Sequence, residues 1–331
     1  MNPANVMTDL EEPMIKIFDS LFSKNDILKP VYFDIQILER YFKNPKYLIS
    51  YTDYRGKIYM KDEYSSEDLE DYEYIKDFGL AYKENEPEKR AVVVFADDLS
   101  KLSKKVQAAW YAHLLDNQED YYPNNGFIQN LIRGEWVTDI SIYQALLMEI
   151  HYINEMCDCM LIDKLYKKEY KFNTSNQEDR PIHFHNVLMP TRDNYYNFIN
   201  TLEKLVINNI NATTFTKNSV YIGAIEAKDE NGNSKGTLRM FEEWLLKNVR
   251  GGNPIEDIIK PLKKLRKLRQ KPAHQLYVNE YNEKIWSDQN KLVNDVYTAV
   301  RNIRLVFSNH PRTSEVEIPS CLFDGEHIVC Y

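Results

Sequence analysis

Between residues 140 and 166 the apolar side chains Ile142, Leu146, Ile150, Ile153, Cys157, Met160 and Leu161 recur close to every 3.6 residues, which predicts a long helix with one buried stripe. The same period returns at 191–209, where Thr191 is placed to cap a helix carrying Tyr195, Phe198, Ile199, Leu202, Leu205 and Val206 on one face. A third amphipathic stretch, 236–252, ends at Gly251-Gly252, and Asn253-Pro254 can open the next helix. Leu292, Val296, Ala299, Val300, Ile303, Val306 and Phe307 mark the last one. Four such helices within 191–312 predict a bundle. Earlier in the chain the period shortens. "YLISYTDYRGKIYMKDEY" (47–64) predicts a hairpin about Arg55-Gly56. "DFGLAYKENEPEKRAVVVFADDL" (77–99) predicts a second, with "KENEPEKR" as its loop and "AVVVF" as a buried strand. A helix follows over 99–116. The polar stretch 167–181 reads as a linker, which assigns the 140–166 helix to the core of the first domain. The expected architecture is an α+β domain over 1–190, an all-α bundle over 191–312 and a short tail over 313–331.

A chain of 331 residues can hold two such cores, and 43% hydrophobic with 28% charged residues is the balance of a folded protein. No apolar run is long enough to span a bilayer, so no membrane partner is expected. The first residues carry acids where an export signal carries bases, which predicts a cytoplasmic protein. Cys157, Cys159, Cys321 and Cys330 fit neither a disulfide framework nor a zinc spacing. His183 and His185 share a face of a strand-like "RPIHFH" but have no further ligand nearby, so a packing role is favoured and no metal is expected. There is no phosphate-binding glycine loop and no serine-nucleophile elbow, and no cofactor is expected.

Charge changes the picture. The net charge is −8, yet residues 191–312 hold 20 Lys and Arg against 13 Asp and Glu, while the remainder holds 22 against 37. That asymmetry points to an anionic partner for the second half. Its focus is 260–271, seven bases in twelve residues. Leu262, Leu265 and Leu268 form an apolar face there, leaving Lys263, Lys264, Arg266, Lys267, Arg269 and Lys271 as a cationic ridge suited to RNA phosphates. The run 62–73 mirrors it with seven acids in twelve. It could lie on the ridge as a shield, or be a solvated loop.

Pro272 should end the ridge helix near Gln270, because it lacks an N–H and pushes Lys271 out of the α region. Arg269 would then close one segment and His274 open the next, both facing one crevice. A histidine can relay the proton of a 2′-hydroxyl while a permanent guanidinium holds the phosphate. Arg269, Gln270 and His274 in "LRQKPAHQLY", within a helical second half, resemble the signature of the HEPN family (higher eukaryotes and prokaryotes nucleotide-binding): Arg, a polar residue, then His. The resemblance covers about 191–312. It implies an all-α bundle, a homodimer with two motifs facing across the interface, and a metal-independent endoribonuclease or RNA-binding effector. Many members are toxins or phage-defence proteins. Other members lack catalysis, so the alternative is a non-catalytic interaction or dimerisation protein. Gln270 and Tyr277 are auxiliary candidates. In one toxin branch a modified Tyr follows the His by two residues, where this chain has Leu276, with Tyr277 one further on. Arg180 to His185 and Arg304 to His310 also match the spacing, and both are expected to be decoys.

Overall fold

The structure is a computed structural model describing residues 28–51, 53–64, 73–134, 139–170, 180–181, 183–250, 253–274 and 277–330. For Pro87, Ile132, Arg133, Asn253, Pro254 and 271–274 only the backbone course is described. The chain divides into two compact units, 1–137 and 138–331.

Strand-forming residues in the first unit make an antiparallel sheet. β1 (Pro30–Asp34), β2 (Tyr47–Tyr51), β3 (Arg55–Met60), β4 (Asp77–Lys83) and β5 (Glu86–Phe95) lie in the order β1-β5-β4-β3-β2, and β6 (Tyr121–Pro123) pairs with β4. β2 and β3 form a hairpin with Ile49 opposite Ile58, but its turn falls before Arg55 and not at Arg55-Gly56, since both residues are already in β3 and Gly56 pairs with Tyr51. The second hairpin is tighter than expected, because pairing already resumes at Lys83–Glu86. Polar residues pair their backbones as well as apolar ones do, and Glu86 meets Lys83 and Lys89 at the strand surface. Every residue from Ala91 to Phe95 is buried, as a strand covered on both faces requires. On one face Phe33 meets Trp110 edge-on at 5.0 Å, and the Trp110 indole N–H donates to the Tyr41 hydroxyl at 3.0 Å. On the other, Phe95 stacks on Phe127, whose ring lies so close over Gly79 that an added Cβ would come within 2.4 Å. The helix expected over 99–116 is shorter, α1 (Lys104–Tyr111). Of the acidic run 62–73, residues 65–72 lie outside the described residues, and the shielding expectation with them.

Helices dominate the second unit: α2 (Ile142–Cys159), α3 (Arg192–Glu203), α4 (Thr237–Asn248), α5 (Asn253–His274), α6 (Lys284–Ser308) and α7 (Ser320–Asp324). They share one core, in which Leu146, Ile150 and Ile153 of α2 join Phe198 and Leu202 of α3, Ile258, Leu262 and Leu265 of α5, and Val296, Val300 and Ile303 of α6. Thr191 caps α3 as expected, its hydroxyl accepting from the Asn194 N–H.

Three expectations need correction. First, α2 packs against α6 and belongs to the second unit, so the boundary falls near 137 and not at 190. Every residue from Ile142 to Ile150 is buried, which marks α2 as a central helix; periodicity alone does not say on which side of a polar stretch a helix packs. Its stripe ends at Met160, because Leu161 turns outward with a left-handed φ of 58°. Second, the tail is structural. Leu322 is buried in the core, and Ile328–Val329 pairs in parallel with Ile140–Ser141. Third, α5 does not stop at Gln270 but runs to His274. Pro272 removes one hydrogen bond, to the carbonyl of Leu268, within the last turn of a helix already anchored by its apolar face, and that loss does not end it.

Candidate functional site

On the unbroken α5, positions 260, 263, 264, 267, 270, 271 and 274 fall on one face, whereas 269 and 274 lie roughly 140° apart around the axis. One chain therefore does not direct Arg269 and His274 into a shared crevice by a helix break. Much of the ridge is already committed. Lys263 bonds both carboxylate oxygens of Glu242 at 2.9 and 2.7 Å, and Lys264 meets Asp295 at 2.8 Å. Arg266 lies 3.9 Å from the buried carboxylate of Glu203. Lys267, Arg269 and Gln270 are exposed, while the side chains of Lys271 and His274 lie outside the described parts. The Tyr277 hydroxyl donates to Asp193 at 2.9 Å and its ring meets Tyr196 edge-on, so it braces the start of α3.

The residues that do converge are elsewhere. A groove of about 980 Å³ runs along α3, lined by Asn197, Asn200, Thr201, Lys204 and Asn208 on the helix side and by Lys168, Glu169, Tyr170, Arg180 and His183 opposite. The helix supplies that wall because residues three and four apart share a face. At Lys204–Asn208 it widens into one π turn, closed by the Asn209 N–H donating to the Lys204 carbonyl at 3.0 Å. The opposite wall is pinned to that turn. Asn209 clamps the backbone of Lys168 twice, accepting from its N–H at 2.8 Å and donating to its carbonyl at 2.7 Å. His183 sits in the left-handed region at φ 66°, unusual for a non-glycine residue, so the strand expected at "RPIHFH" does not form. His185 instead donates from Nδ1 to the carbonyl of Asn186 at 2.8 Å.

Among the described residues three cations, Lys168, Arg180 and Lys204, line this groove against one carboxylate, Glu169. Lys168 lies 4.5 Å over the ring of Tyr170, and Lys204 has no carboxylate partner among the described residues. Glu169 is spoken for. It accepts from Asn154 at 2.9 Å, from Lys164 at 3.0 Å and from His151 at 3.0 Å. Burial pushes its carboxyl pKa up, but the bonds from Asn154, His151 and Lys164 outweigh that and hold it down at about 2. A depressed carboxyl stabilises the fold above its unfolded pKa, and that contribution disappears as pH falls toward 2. Glu169→Gln should therefore cost about 1–2 kcal/mol at pH 7, after allowance for partial exposure, and only a small fraction of that at pH 2. Urea melts at the two pH values check this; equal losses at both would remove the ionised carboxylate as the cause.

Arg180 and His183, three residues apart, were legible only as part of a decoy pair ending at His185. The other decoy is structural. Arg304 is buried, and its guanidinium pairs with Glu149 inside the core. Cys157 is buried, its thiol pKa pushed up to about 12 by burial, in line with packing. Among the described residues no three His, Cys, Asp or Glu side chains gather as a metal site, and no helix is long and apolar enough to cross a membrane. No protein-family model, no curated protein and no solved structure matches the chain.

Proposed function

We propose that the second unit is an RNA-binding effector with metal-independent endoribonuclease activity, and that the RNA backbone lies in the α3 groove. The observation that carries this reading is the imbalance of charge among the described residues there: Lys168, Arg180 and Lys204 against a single carboxylate that already has three donors. Cations gathered in a groove focus their field on a polyanion better than cations on an open helix face, and on the ridge Lys263 and Lys264 are already paired. The carboxamides of Asn197, Asn200 and Asn208 both donate and accept, which suits 2′-hydroxyls and base edges. His183 brings an imidazole able to relay the proton of a 2′-hydroxyl. The resemblance to the HEPN family belongs to the same reading. Because positions 269 and 274 diverge on α5, that motif would act only between two copies of the chain.

The test is the salt dependence of binding to a labelled single-stranded RNA. Lys168→Gln with Lys204→Gln should reduce the slope of log affinity against log salt by about 1.4, since each neutralised phosphate contributes about 0.7 on single strands. Lys263→Gln, Lys264→Gln and Lys267→Gln together should change it less. The reverse ranking moves the RNA to the α5 ridge. Absence of binding at low salt overturns the RNA reading and leaves an interaction protein.

A further inference from the structure

A second cavity, of about 420 Å³, lies where α4 and α6 both end. Its walls are apolar and aromatic: Ile222, Trp244, Val306 and Phe307. Arg250 and His310 also line it. Two donors there have no acceptor among the described residues, and the Trp244 indole N–H, behind the wall and out of reach of solvent, has no hydrogen-bond partner among them either. The Arg250 guanidinium is exposed, with no carboxylate partner among the described residues. His310 accepts at Nδ1 from the Arg312 N–H, 3.3 Å away, so the neutral ring carries its proton on Nε2. The imidazole is held in place edge-on to Tyr221, over whose ring Arg312 lies at 4.8 Å.

Two helix C-termini could have filled the site with acceptors, but their carbonyls are largely taken. Asn309 donates to the carbonyls of Leu305 and Val306, and His310 and Thr313 both donate to that of Phe307. Asn248 and Val249 donate to those of Trp244 and Leu245. The cavity is therefore rich in donors and poor in acceptors, with flat apolar walls, and its volume is that of a small-molecule site. We propose that it binds a small aromatic carboxylate, with the ring between Trp244, Phe307 and the aliphatic walls and the carboxylate toward Arg250 and His310. This site is separate from the groove and does not rest on the RNA reading.

The experiment uses the full chain labelled with ¹⁵N-tryptophan, whose four indoles give four signals, with Trp244→Phe assigning the relevant one. The probes are 1-naphthoate and the uncharged 1-naphthalenemethanol. Naphthoate should move the Trp244 indole signal in a saturable titration. Arg250→Gln, a change at an exposed residue, should weaken naphthoate at least about tenfold and the alcohol less than about twofold. An unmoved Trp244 signal, no saturable binding of naphthoate, or equal weakening of both probes overturns the assignment.

Discussion

Arg304→Met alone should lower the stability of the protein by about 3–5 kcal/mol, while Arg304→Met combined with Glu149→Met should leave it near or above wild type. The guanidinium bonds both oxygens of Glu149 and donates to the carbonyl of Leu322 at 2.8 Å, with the two side chains 2% and 0% exposed. Their attraction is offset by the cost of taking two ions out of water, so the pair as a whole adds little. Removing one ion leaves the other stranded. Burial already pushes the Glu149 carboxyl pKa upward, and Arg304 is the largest influence opposing it. In the single variant the carboxyl would fold protonated, so its contribution is present below the unfolded pKa and lost as pH rises. The deficit of Arg304→Met should accordingly narrow at acid pH. Urea melts of the two single variants and the double variant decide it. A single-variant loss below about 1 kcal/mol would mean that the buried pair is not the ionised bond described here.

The second large effect concerns RNA cleavage and separates the two candidate sites. If Arg269 of one chain works with His274 of another, Arg269→Ala and His274→Ala should each abolish cleavage, yet the two inactive proteins mixed and allowed to exchange should regain about a quarter of wild-type activity. Half the dimers would be mixed, and one of the two symmetric sites in each would have both groups intact. No recovery on mixing rules out a composite site. If cleavage instead survives both changes and is lost in His183→Ala, the chemistry lies in the α3 groove. Products ending in a 2′,3′-cyclic phosphate, formed without loss in EDTA, would accompany either outcome.

How much of this was legible in the chain depended on whether the deciding interaction was local. The capped start at Thr191 and the stripe of α6 follow from spacing within one element, and the structure has them; the two strands of 47–60 were legible too, though not the place of their turn. Three features hidden from that reading depend on partners far away in sequence. Nothing near Ile142 announces that α2 packs on a helix beginning at Lys284. The lysines of 260–271 look free in sequence because Glu242 and Asp295 are distant from them. Pro272 is locally a stop signal, but it sits in a helix whose course is held by its buried face. The groove had one local signal, Arg180 followed by histidines. Its other half sits on a helix face that reads as merely solvated.

The π turn at Lys204–Asn208 has a consequence of its own. A π turn holds one residue more than an α turn, and here it is the last turn of the helix. Before it Asn197, Asn200 and Thr201 face the groove; at its end Asn208 and Asn209 line the groove, while Ile207 and Ile210 stay buried. Deleting a single residue between 204 and 208 would turn the end of the helix by about 100°. That turn would carry Asn209 away from the backbone of Lys168 and drive a polar side chain toward the core. The surplus residue sets the exit of the chain so that Asn209 reaches the backbone of Lys168 while Ile210 reaches the core.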